Sequence, residues 1–151
     1  ASLFAAAGSA PARLLQSPLE TALNNYGESL GIAFQIIDDL IDVTQSSEVM
    51  GKPSCGDIVE GKATIPLLYL KERLNGADQE RFQAMFQSSS LAEGDPEWIR
   101  EKMAITGATE ATLALARGYA LHGQEQIRTL PESPFRRSLD MLMELLLLRT
   151  A

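Results

Sequence analysis

The chain of 151 residues has one cysteine, Cys55, and one histidine, His122. A lone cysteine excludes an internal disulfide, and with a single histidine it leaves zinc without a plausible ligand set. A reducing, cytoplasmic setting is expected. Basic side chains are outnumbered, 13 against 20 acidic ones, for a formal charge of -7. That surplus opposes binding to a polyanion, so no nucleic-acid partner is expected. The densest apolar run, Leu145 to Leu148, falls far short of the roughly 18 residues needed to cross a bilayer, and a soluble protein is expected. Gly8, Ser9 and Pro11 break up the first residues, which therefore do not resemble a secretion signal. The chain opens at Ala1, within a helix-like pattern that lacks a preceding cap, and this points to a fragment or processed piece.

Alternating apolar and polar runs are too short to suggest a sheet, and every segment between turn signals has a helical period. An all-α fold follows. Ser17, Pro18 and Glu20 read as a capping box with proline at the first helical position, opening a long helix through Asp42 to about Thr44. Gln45 to Lys62 reads as a polar loop, followed by a helix from about Thr64 that Gly76 should end. Asp78, the pair Asp95 and Pro96, and the pair Ser133 and Pro134 signal further helix starts. Gly107 ends the second of these, and another helix is expected from Ala108 to about Thr129. Trp98, Phe82, Phe86 and Phe135 are expected in core or helix contacts, His122 as a partly exposed helix residue, and Arg136, Arg137 and Arg149 as exposed charges.

Within the long helix, LGIAFQIIDDLIDV is apolar over a wide arc. Advancing about 100° per residue places Gln35, Asp38, Asp39 and Asp42 together on one narrow face. A polar stripe of this kind ordinarily meets water. Here, however, three carboxylates repel one another with no Lys or Arg at helical spacing to relieve them, so a cation should come from elsewhere. Carboxylate oxygens with retained waters and phosphate oxygens suit Mg²⁺, whereas a calcium-binding EF-hand needs its donors on a turn around glycine. The loop that follows carries Lys52 and Lys62, which can act as point-charge phosphate partners, with Asp57 between them.

The stretch GIAFQIIDDLIDVTQSSEVMGKPSCGDIVEGKATIPLLYL, Gly31 to Leu70, resembles the second aspartate-rich region of the trans-isoprenyl (polyprenyl) diphosphate synthases. It matches that family's FQxxDDxxD motif and the GK, D and GK positions after it. Weaker similarity runs on to LPESPFRRSL, which looks like the end of bacterial long-chain, octaprenyl-type members. The resemblance implies the isoprenoid-synthase type of helical bundle around a deep cavity, of which this chain would be the C-terminal half across residues 1–151. It implies head-to-tail condensation of isopentenyl diphosphate with an allylic prenyl diphosphate. In that scheme Asp38 would be a direct Mg²⁺ ligand, with Asp39 and Asp42 supporting the metal and its waters. Gln35 would lie beside the allylic substrate, Lys52 and Lys62 would hold its diphosphate, and Asp57 would orient water or lysine. Gly31, Phe34 and Ile37 would be candidates for the cavity wall.

The chain departs from the family in two ways. The first aspartate-rich motif, and the residues that bind isopentenyl diphosphate, lie in the family upstream of the position of Ala1. The chain is therefore expected to be inactive alone, to need an N-terminal half or companion subunit, and to self-associate as a homo-oligomer through uncovered apolar surface. The second departure is in KPSCGD, where Cys55 occupies a position that is glycine in many members and Gly56 follows it. A noncatalytic helical subunit of a heteromeric prenyl diphosphate synthase is the alternative, against which the intact DDLID and both lysines speak. A metal-responsive helical module without prenyl chemistry is the remaining one.

Overall fold

The computed structural model describes residues 1–46, 51 and 54–149. Among them every regular element is a helix: α1 Ser2–Leu14, α2 Glu20–Thr44, α3 Gly56–Val59, α4 Ile65–Arg73, α5 Gly76–Ser88, α6 Asp95–Ile105, α7 Ala108–Ile127 and α8 Pro134–Leu148. No described helix is long and apolar enough to cross a membrane. The chain forms two compact units, one of residues 1–37 and 114–151 and the other of residues 38–113. The expected all-α architecture is the one observed.

In the first unit, glycine lets helices approach backbone to backbone. A Cβ on Gly8 of α1 would stand 2.6 Å from the Leu23 carbonyl oxygen of α2, and one on Gly27 would collide with the Phe4 carbonyl. Gly123 of α7 is likewise closed off by Met143 of α8 and Ser29 of α2. Tyr26, Ala120, Ile127 and Met143 form the buried cluster there. The Tyr26 hydroxyl donates to the Leu139 carbonyl at 2.8 Å, tying α2 to α8. Ser133 caps α8 as expected, its Oγ accepting from the Arg136 N–H at 3.2 Å.

The second unit is built on Leu40, Val43, Ile58, Leu70, Ile99 and Met103, all buried. Phe82 in this core meets Phe86 at 5.3 Å with the two rings tilted by 59°, and Trp98 packs against it with the Arg81 guanidinium 4.5 Å from its ring centre. Asp95 accepts from Arg81 at 2.6 Å and from the Ala92 N–H at 2.8 Å, which fixes the start of α6. α3 packs on α5, and α4 on α6.

Several local expectations are corrected. The capping box does not form: the Glu20 carboxylate is drawn to Arg13 at 2.7 Å, Ser17 Oγ accepts instead from the Leu19 N–H at 3.3 Å, and α2 begins at Glu20. Gly76 does not end a helix but begins one. Leu74 is extended (φ -80, ψ 150) with its side chain buried in the core, so α4 stops at Arg73, and the left-handed Gly76 (φ 52) leads into α5. The segment read wholly as loop contains the single turn α3, which is held by the fully buried Ile58. Burial of such a side chain stabilises by roughly 1.5–3 kcal/mol. Phe135 is 82% exposed rather than in contact with the core, because it lies on the outer side of the first turn of α8.

Burial, and secondarily the charge of Asp140, pushes the Tyr26 hydroxyl up from 10.0 to about 12. The unfolded chain therefore releases this proton first, so its contribution is complete below pH 10 and is lost as pH rises toward 12. Urea unfolding should show Tyr26→Phe to be less stable by about 1 kcal/mol at pH 8, with the gap to wild type narrowing above pH 10. A gap that is absent at pH 8, or constant to pH 11, contradicts this.

Candidate functional site

The last turns of α2 are sorted by burial. Leu40 and Val43 lie in the core, Asp38 is exposed, Asp39 is half-buried and Asp42 is only 7% exposed. These carboxylates gather in the last turns of α2, and no basic residue occupies its last turn. The acidic stripe is thus one-third in solvent and one-third covered.

What covers it is the returning loop. The Asp42 carbonyl accepts from the Cys55 N–H at 2.8 Å, and its Oδ2 accepts from the Asp57 N–H at 3.3 Å. Cys55 adopts the left-handed conformation (φ 59, ψ 31) with its side chain fully buried. The loop therefore makes a glycine-type turn at a cysteine, and the following Gly56 does not take the positive φ. Burial and then the charges of Asp42 and Asp39 push the Asp57 carboxyl above its ordinary range, while Lys62 pulls it back. Lys62 Nζ stands 3.9 Å from Asp57 Oδ1 and pairs with Glu60 at 2.5 Å; that contact, first of all, pushes the Lys62 ammonium up.

Asp39, Asp42, Asp57 and Lys62 are thus brought together within the second unit, with Asp38 on the same helix. Lys52 lies outside the described residues. Gln35 is exposed on α2, and Phe34, 36% exposed, meets Phe4 at 5.7 Å and lies under the Arg149 guanidinium at 5.1 Å. Ile37 is fully buried, and Gly31 is backed by Ala1 of the same unit. The sequence reading did not single out Glu60, whose only signal is its place two residues before Lys62. Nor did it anticipate the Arg149 contact with Phe34.

Among the described residues no three His, Cys, Asp or Glu side chains converge into a ready-made metal cage. The donor set nonetheless fits a hard divalent cation: one exposed and one half-buried carboxylate are adjacent on α2, and the Asp57 carboxyl nearby is pushed up by burial and then by the charges of Asp42 and Asp39. One or two such carboxylates, completed by water and ligand oxygens, is how Mg²⁺ is ordinarily held. Lys62, with 59% of its side chain exposed, can meet an anion at the rim.

A family model described as polyprenyl synthetase matches residues 1–103. The chain is 38% identical over 137 residues to a short chain isoprenyl diphosphate synthase of Methanothermobacter thermautotrophicus, covering 88% of this chain and 41% of that protein. It is 35% identical over 151 residues to a prenyl transferase of Cyanophora paradoxa, covering 99% of this chain and 45% of the other. Its fold superposes with a TM-score of 0.89 on a polyprenyl synthase of Caulobacter crescentus crystallised with calcium and isoprenyl diphosphate, at 34% identity over 99% of this chain and 46% of that one. The chain thus spans less than half the length of these relatives.

Burial, and then the charge of Asp42, pushes the Cys55 thiol up to about 12. At pH 8 the folded protein should therefore react with a disulfide-exchange thiol reagent at least about 100-fold more slowly than the denatured chain. Equal labelling rates with and without denaturant would show that the left-handed turn at Cys55 is not closed over its side chain.

Proposed function

Because the chain belongs to the polyprenyl synthetase family, we propose that it supplies the second aspartate-rich half of a head-to-tail prenyltransferase. The reaction is the condensation of isopentenyl diphosphate with an allylic prenyl diphosphate, assisted by Mg²⁺. The observation that carries this reading is the crowding of Asp39, Asp42 and Asp57, carboxylates from two segments, beside the Lys62 ammonium. A bound divalent cation would balance that field and, with the Lys62 ammonium, would meet the negative charge of a diphosphate.

Each residue has a role in this scheme. Asp38, exposed on α2, would be the direct metal ligand, and Asp39 would support the metal and its waters. Lys62, together with Lys52, holds the allylic diphosphate. Asp57 keeps Lys62 turned toward the site through the 3.9 Å contact of its carboxylate. Gln35 lies beside the allylic group and Phe34 forms part of the wall for its hydrocarbon tail. When bound, Mg²⁺ supplies electrostatic stabilisation of the negative charge that develops on the leaving diphosphate. The lysines share that task, and the released diphosphate can take the proton lost from the condensing partner, so no protein base is required.

The reading places the enzyme in the cytoplasm, where a free thiol such as Cys55 persists. This chain covers 41% of one relative and 45% of another, and in this reading condensation also draws on the remaining part of that fold, carried on a longer chain or a companion subunit. Exposed Leu14, Leu15 and Phe135 offer apolar surface for a companion or a second copy.

Calorimetric titration with inorganic pyrophosphate tests the site on the chain itself. Binding is expected in Mg²⁺ and absent in EDTA. Asp38→Ala should abolish the Mg²⁺-dependent heat with unchanged helix content, and Lys62→Ala should weaken binding by at least about tenfold, as for loss of a charged hydrogen bond. Binding that ignores Mg²⁺, or survives unchanged in Asp38→Ala, removes this function.

A further inference from the structure

Asp42 differs from its neighbours on α2. Its side chain is buried, its carbonyl oxygen accepts from the Cys55 N–H at 2.8 Å, and its Oδ2 accepts from the Asp57 N–H at 3.3 Å. Its Oδ1 faces Gly56, where a Cβ would lie 3.7 Å away. The first N–H groups of a helical turn need acceptors from outside the turn. The residue at the cap position of α3 is Cys55, whose side chain makes no capping hydrogen bond. A carboxylate fifteen residues earlier in the chain supplies the acceptor instead. From there the connection continues: the Asp57 carbonyl accepts from the Lys62 N–H at 2.7 Å, and the Asp57 carboxylate faces the Lys62 ammonium at 3.9 Å.

We propose that Asp42 is a positioning residue, a remote cap that holds the Cys55-to-Lys62 turn on α2 and so acts on diphosphate through Lys62. The third aspartate of the stripe thereby has a different task from Asp38. The role rests on the reading of the site as a magnesium diphosphate site. It follows from burial and from two hydrogen bonds made by one residue to one loop, and it explains how a cysteine can stand at the cap position without leaving the turn uncapped. A side chain that worked by charge on the metal would need only its carboxylate to face the ion. A cap needs an acceptor oxygen at this place, and an amide oxygen serves as well.

The experiment uses the full chain as wild type, Asp42→Ala, Asp42→Asn, Lys62→Ala and the double variant Asp42→Ala/Lys62→Ala. Amide hydrogen exchange without ligand should be at least about tenfold faster at Asp57 and Lys62 in Asp42→Ala, and within about threefold of wild type in Asp42→Asn. For magnesium pyrophosphate, Asp42→Ala should weaken binding about as much as Lys62→Ala and add less than about twofold in the Lys62→Ala background, because the two residues act as one unit. Asp42→Asn should restore most of the affinity. Losses that multiply in the double variant, or unchanged exchange in Asp42→Ala, overturn the role of Asp42 while leaving the site reading intact. Should Asp42→Ala fail to fold, Asp42→Asn decides: retained slow exchange and affinity support the cap, and a loss as large as that of Asp38→Ala overturns it. A wild-type chain that does not bind magnesium pyrophosphate overturns the site reading, and this role with it.

Discussion

Mutual repulsion among carboxylates at the end of one helix is the constraint on which the rest depends. Asp38, Asp39 and Asp42 occupy the C-terminal turns of α2, and Asp57 is brought to them by the loop. Its carboxyl is pushed up by burial first and then by Asp42 and Asp39, even with Lys62 close by. Nothing in hydrophobic packing asks for this concentration of charge. It persists because Leu40 and Val43, on the same turns, are anchored in the core of the second unit, so α2 cannot turn all of its acidic face into solvent.

The loop that completes the site is held by few but specific contacts. Ile58 is buried beneath α3, and the backbone and side chain of Asp42 each accept one loop amide. The left-handed conformation at Cys55 costs on the order of 1 kcal/mol relative to glycine. Its complete burial among Leu40, Val43 and their neighbours contributes in the other direction. Fold and site are therefore coupled at one point: the residues that pack the turn also set the distance between Lys62 and the carboxylates. In the first unit, Gly8 and Gly27 let α1 lie directly on α2, so the N-terminal part of the same helix is held by close backbone contact.

How much of this was legible in the sequence depended on the range of the interactions involved. Local signals worked where they faced no competitor: Ser133 with Pro134 opens α8, Gly107 follows the end of α6, and the periodicity of α2 carries through to Thr44. They failed where a partner from another segment intervened, as when Arg13 took the Glu20 carboxylate from the expected capping box, or when core burial of Leu74 ended α4 ahead of Gly76. The candidate site shows the same division. Helical spacing put Asp38, Asp39 and Asp42 on one face, but it could not separate the exposed ligand candidate from the buried cap. That distinction arises from a hydrogen bond between Asp42 and Asp57, which no local pattern encodes. The glycine-type turn at Cys55 was likewise hidden, because a cysteine gives no sign of positive φ.

The acidic end of α2 and the turn ending at Lys62 are proposed to receive together a divalent cation and a diphosphate. Paramagnetic broadening of amide resonances by Mn²⁺ in the presence of pyrophosphate tests it most directly. The amides of Asp38, Asp39, Asp57 and Lys62 should broaden first, at substoichiometric Mn²⁺, and recover when excess Mg²⁺ is added. Broadening that begins at other acidic positions, such as Glu72, Glu80 or Glu101, while these four stay sharp, would contradict it.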